Sequence, residues 1–357
     1  MQSPFVVYVL VGLIGFVLSR VFLSFVQTDG VNQAAYKFYK DSSFALALLV
    51  FAGLSVIFYM APTAYDIVAP VNGYVLPTVF ATAAVLYVIY WLENAWLTQI
   101  AIFIASGLLS FLLPDEAMIF EGAIPLWAGR LFAALFTYAF VNGAKNINLL
   151  AGVFGIQVLA VSAGIGVLAL FGGLPLYLGM MGIYFAGIWL GFLNLNWFPS
   201  KVYVNSGTCA AVFYILAWMI LQGAAEFSAP SMLILCMYFI AEMIWALVQR
   251  FILNVKRTDF SENTATYGAF EKGLTVEAIG VSVVKINVVN GILALFQLYS
   301  VNMYSVPIFA FLINLWLLGI LYNAGSNDTT LKEANREFIK GVKDGFENIK
   351  NTFKNKD

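Results

Sequence analysis

The chain has 357 residues, of which 62% are hydrophobic and only 10% charged, and its mean hydropathy is +0.87. A water-facing domain needs far more charge, so the solvent for most of the chain is lipid. The net charge of −1 removes nucleic-acid binders, which carry a basic face, and the lack of histidine removes the commonest metal ligand and the commonest general base near neutral pH. Because the bilayer core offers backbone N–H and C=O groups no water, helix-length apolar runs without strand alternation predict an all-α polytopic transmembrane bundle.

The first run, residues 5 to 25, follows Met1-Gln2-Ser3-Pro4, lacks the charged start of a signal peptide and reads as a retained helix. Further runs occupy residues 43 to 60, 71 to 91, 97 to 113, 126 to 142, 149 to 171, 174 to 195, 207 to 221, 232 to 253, 278 to 298 and 306 to 322, which predicts about 11 helices. Cys209 and Cys236 both fall inside runs, where a free thiol acts as a small hydrophobe. Trp91, Trp96, Trp127 and Trp197 stand near run ends, as interfacial anchors do.

Numbered in order, the odd loops carry the bases: Lys37 and Lys40, Lys145, Lys201, then Lys256, Arg257 and Lys272. The even loops hold Asp66, Asp115, Glu116 and Glu226 but a single base, Arg130. By the positive-inside rule the odd loops and the lysine-rich tail are cytoplasmic and the N-terminus is outside, which fits a bacterial inner (cytoplasmic) membrane protein. The division expected is a membrane domain over 1–325 and a tail over 326–357. In the tail, Thr330 and Glu333 form a potential capping box, and Leu331, Ala334, Phe338, Ile339, Val342, Phe346, Ile349 and Phe353 recur at helical spacing, the pattern of an amphipathic helix lying on an anionic leaflet.

Three cytoplasm-facing stretches carry a resemblance. Gly191-Phe192-Leu193, then Asn196, Pro199, Lys201 and Tyr203 in unbroken spacing, form the first, around the seventh helix. The second runs from Asn142 through Lys145 and Asn148 to Ala151 and Gly152. The third sets Glu242 eight residues before Arg250, with Thr264-Ala265-Thr266-Tyr267 beginning fourteen residues after that arginine. Leu92-Glu93-Asn94 and Asn205-Ser206-Gly207-Thr208-Cys209 add weaker matches. Over roughly residues 70 to 275, this order and spacing resembles the polyprenyl-phosphate sugar-1-phosphate transferases (glycosyltransferase family 4), which start lipid-linked cell-envelope glycans.

The resemblance implies a cytoplasmic pocket in which aspartates hold Mg²⁺ and position the diphosphate of a UDP-sugar while a polyprenyl phosphate attacks. Such phosphoryl transfer works by charge neutralisation and alignment. Most of the carboxylates are replaced here: Glu93, Asn94, Asn148, Ala151 and Ser206 stand at family aspartate positions, and Thr264, Thr266 and Tyr267 at family histidines. Glu93, Asn94 and Asn148 are therefore the candidate catalytic positions, Glu93 and Asn148 the weak metal candidates, and Asn142, Lys145, Asn196, Lys201, Glu242, Arg250, Thr264, Thr266 and Tyr267 the candidate substrate contacts. The reading is a catalytically silent relative that binds a polyprenyl phosphate or a partner, with an active transferase using a rearranged metal site as the alternative and a small-molecule transporter as the second. The ammonium of Lys145 is expected either to replace the missing Mg²⁺ by pairing with Glu93 or Glu242, or to snorkel to the headgroups. A homodimer or a complex with a glycan enzyme is also implied by the resemblance.

Overall fold

The fold is given by a computed structural model, which describes residues 4–26, 74–114, 119, 124–198, 200, 202, 204–253, 255, 259–300 and 304–324. The expected span over 43 to 60, the loop bases Lys201, Lys256 and Arg257, and the tail over 326–357 lie outside the described residues.

In chain order the helices are α1 (Pro4–Val26), α2 (Val75–Trp91), α3 (Ala95–Leu112), α4 (Leu126–Ile147), α5 (Val153–Leu170), α6 (Leu176–Asn196), α7 (Ser206–Gly223), α8 (Ala229–Leu235), α9 (Met237–Leu247), α10 (Ala265–Glu271), α11 (Val276–Leu298) and α12 (Ser305–Ala324). No strand occurs among the described residues, and several helices are long and apolar enough to cross a bilayer. The chain is thus an all-α, multi-pass membrane bundle.

Helix starts follow local chemistry. Asn94, Asn205, Ser228, Thr264 and Thr275 each accept a hydrogen bond from a backbone N–H of the first turn, satisfying donors that the helix leaves orphaned. Pro125 and Pro175 precede α4 and α6, where a missing N–H costs nothing.

Between α7 and α9 the helical register is nearly continuous, broken by a π-helical turn at Ala224–Ser228 and by Ser228 itself, whose φ of −152° and ψ of 95° are extended. The chain reverses there: the rings of Phe213 on α7 and Phe239 on α9 meet with centroids 5.2 Å apart and planes tilted by 52°. The eighth and ninth expected spans are therefore an antiparallel hairpin. The ninth is itself divided at Cys236 and ends in a second π turn, Val248–Ile252.

α7 is buried from Gly207 to Gly223 and packs chiefly against α2 and α4. Phe140 of α4 lies 4.6 Å from Phe213 and 4.5 Å from Phe239, and Phe154 of α5 lies 5.2 Å from Phe213, a ring cluster that joins four helices. α1 crosses α6 on glycines: a Cβ at Gly15 would meet the Tyr184 carbonyl oxygen at 2.6 Å, and one at Gly191 would meet the Ser19 Cβ at 2.9 Å. Without a hydrophobic drive between helices in lipid, such close backbone packing is a main source of association. α11 and α12 are locked by a reciprocal amide pair, Asn290 Nδ2 donating to Asn314 Oδ1 at 3.1 Å and Asn314 Nδ2 to Asn290 Oδ1 at 2.6 Å.

Candidate functional site

The candidate residues gather at one end of the bundle, the end that the charge pattern assigns to the cytoplasm. α4 was expected to stop near residue 142 but continues to Ile147, and α5 was expected from residue 149 but begins at Val153. The intervening turn needs Gly152, whose φ of 83° is left-handed, a conformation open to glycine at little cost.

Asn196, the last residue of α6, organises this end. Its Oδ1 accepts from Gly152 N at 3.0 Å, and its Nδ2 donates to the Val202 carbonyl at 2.6 Å and to Ser200 Oγ at 3.4 Å. One buried amide thus ties the α4–α5 turn to the loop before α7. Asn148, the C-cap of α4, adds a second tie, its Nδ2 donating to the Val204 carbonyl at 2.7 Å. A Cβ at Gly207, at the start of α7, would meet the Tyr87 carbonyl at 3.0 Å, which brings the end of α2 and hence Glu93 to the same side.

Asn142 faces another way. Its Oδ1 accepts from Gln99 Nε2 at 2.8 Å, and the Tyr138 hydroxyl donates to Gln99 Oε1 at 2.8 Å, so a polar triangle joins α3 to α4. Gln99 was missed by the sequence reading, although its position as the single glutamine of an apolar run marks it.

Glu242 of α9 is fully buried. Its Oε1 accepts from Thr266 N at 3.0 Å and from Thr266 Oγ1 at 2.6 Å, while its Oε2 meets no hydrogen-bond donor among the described residues. Thr264 caps α10, its Oγ1 accepting from Tyr267 N at 3.4 Å and donating to the Ser261 carbonyl at 2.8 Å. Two candidate positions, Thr264 and Glu242, therefore hold the first turn of one short helix. Tyr267 is half-buried with its ring 6.2 Å from that of Phe270. Arg250 lies in the second π turn with its guanidinium 5.8 Å from the Phe260 ring centroid, a cation–π contact.

Two expectations are corrected. Lys145 makes no ion pair with Glu242 among the described residues, and Glu242 is turned instead to the start of α10; the lysine is exposed in the last turn of α4, where a cation favours the helix dipole. Trp197 is no bare interfacial anchor, because it packs over Gly152 and within 3.2 Å of a Cβ placed at Gly280, whereas Trp96 and Trp127 are largely exposed at helix starts.

The donor set does not fit Mg²⁺, a hard cation that is usually held by one or two carboxylates with substrate phosphate. The Asn94 side chain is taken by Leu97 N at 3.1 Å, and Glu242 is turned to Thr266 in the interior. Of the positions matched to family aspartates, Glu93 alone is a carboxylate, exposed on a left-handed backbone with φ 55°, and no three Asp, Glu or Cys residues converge among the described residues.

A scan of protein-family models finds no match to the chain, and a search of curated proteins finds none either.

Proposed function

We propose that this protein uses the scaffold of the polyprenyl-phosphate sugar-1-phosphate transferases for binding rather than for metal-dependent transfer, and that it holds a polyprenyl phosphate at its cytoplasmic end. The observation that carries the reading is the occupation of the matched polar positions. Asn94 caps α3, Asn148 holds the Val204 carbonyl, and Thr264 and Glu242 hold α10, so side chains that would need to face a metal and a diphosphate instead satisfy backbone donors and acceptors. Apart from the buried Glu242, amide and hydroxyl groups keep these turns closed without the carboxylate charge that a divalent ion requires. The spacing from Gly191 to Asn196 is supported by the same logic, since Asn196 is what keeps the end of the bundle in shape.

The test uses the full chain in nanodiscs. Undecaprenyl phosphate is expected to bind in preference to uncharged undecaprenol, and no sugar-1-phosphate transfer is expected from a panel of UDP-sugars with Mg²⁺. Turnover abolished by Glu93→Gln overturns the loss of chemistry and favours the rearranged metal site. Equal affinity for the phosphate and the alcohol overturns the binding role.

A further inference from the structure

The outer face of α11 carries Val281, Val284, Val288, Ile292 and Phe296, all exposed and all apolar, as a lipid-facing helix requires. Lys285 interrupts this stripe. It is exposed, and no described residue hydrogen-bonds or ion-pairs with it. From Val276 to Lys285 the helix rises about 14 Å, and the whole of α11 spans about 34 Å against a hydrocarbon core of about 30 Å. The lysine backbone therefore stands roughly 10 to 12 Å below the membrane edge nearer to α10. Stretching toward that edge shortens the distance by about half, which leaves the ammonium short of bulk water.

A cation at that depth is expensive unless an anion meets it. The stripe offers one positive charge and no second base, so the matching partner carries one negative charge. A phosphodiester does; a phosphomonoester near neutral pH carries closer to two. The valine, isoleucine and phenylalanine side chains running down the helix from Lys285 provide the contact that two acyl chains need.

We infer that Lys285 is a binding site for the phosphodiester headgroup of one anionic phospholipid, whose chains lie along the 281–296 stripe of α11. This site is separate from the α4, α6 and α9 residues and stands whether or not a polyprenyl phosphate binds there.

The experiment compares the full wild-type chain with Lys285→Met and Lys285→Arg in mixed micelles of phosphatidylglycerol and phosphatidylcholine, with bound lipids counted by native mass spectrometry. Thermal unfolding of each variant checks folding, and Lys285→Gln provides a second neutral variant. The expected result is a preference for phosphatidylglycerol that falls about fivefold in Lys285→Met, the worth of one lysine beside an anionic headgroup, and that Lys285→Arg retains. High salt should weaken the wild-type preference. An unchanged preference in both neutral variants overturns the inference. So does a loss confined to added undecaprenyl phosphate, or a change in protomer number on substitution, which would make the face an interface between copies.

Discussion

Thr266 donates twice to one oxygen of Glu242, through its backbone N–H at 3.0 Å and its hydroxyl at 2.6 Å, and this pair fastens α10 to α9 inside the bundle. Both residues are at most 3% exposed, so neither bond competes with water. Glu242→Leu leaves the Thr266 donors buried without an acceptor and should cost about 2 to 4 kcal/mol. Glu242→Gln keeps a carbonyl acceptor in place and should cost about 1 kcal/mol or less. Thermal unfolding in detergent, read as a double-mutant cycle with Thr266→Val, checks this: the threonine change should add little once Glu242 is Leu, and full additivity would dissolve the pair.

Asn196 predicts a distinct pattern of damage. Asn196→Ala removes the hydrogen bonds to Gly152 N and to the Val202 carbonyl, leaving Asn148 as the remaining tie between the α4–α5 turn and the loop before α7, and should lower stability by about 2 to 3 kcal/mol. Asn196→Asp still accepts from Gly152 N but turns a carboxylate oxygen toward the Val202 carbonyl, so it should be damaging as well. Limited proteolysis in the 197–205 loop should accelerate in both variants, and protection equal to wild type would remove Asn196 from this role.

At the end of α2 the expectation has opposite signs at neighbouring positions. Asn94→Ala loses the N-cap of α3 and should cost about 1 kcal/mol, whereas Asn94→Asp keeps it. Glu93→Gly should stabilise by roughly 0.5 to 1 kcal/mol, because φ 55° strains a residue that has a Cβ. Melting temperatures of the three variants decide it, and a destabilised Glu93→Gly would mean that the Glu93 side chain contributes more than its backbone costs.

The α1–α6 crossing should fail on a single methyl. A Cβ at Gly187 would overlap the Gly12 carbonyl, which is backbone and cannot swing aside. Gly187→Ala should cost about 2 kcal/mol or more and expose α1 to proteolysis, while Gly291→Ala, with open space around it, should be tolerated.

Much of the fold was legible because long apolar runs have few alternatives in a bilayer, and Val75–Trp91, Ala95–Leu112 and Leu176–Asn196 fall within a few residues of their expected ranges. The ends were less legible. Lys145 and Asn146 look like loop residues by polarity, yet tertiary contact of α4 with α9 extends the helix through them, with Asn146 Nδ2 lying 3.9 Å from Met243 Sδ. The hairpin at residues 224–236 was legible in position but not in form, since hydropathy carries no trace of a π turn. At the candidate site, sequence order grouped the right segments, but whether an asparagine faces a ligand or caps a helix depends on where the helix starts. Asn94 stands where the resemblance puts a carboxylate and Asn205 stands just before another such position, Ser206, yet their spacing to Leu97 N and Thr208 N makes both asparagines caps.

Asn94, Asn148, Thr264 and Glu242 either hold backbone or serve a divalent ion, and the two states differ in what the protein does to a paramagnetic probe. Titrating the purified chain with Mn²⁺ in place of Mg²⁺, followed by electron paramagnetic resonance, reads this directly. The prediction is free-ion signal throughout the titration, with no change on Glu93→Gln or Asn148→Ala; stoichiometric quenching of the signal that disappears in either variant would contradict it.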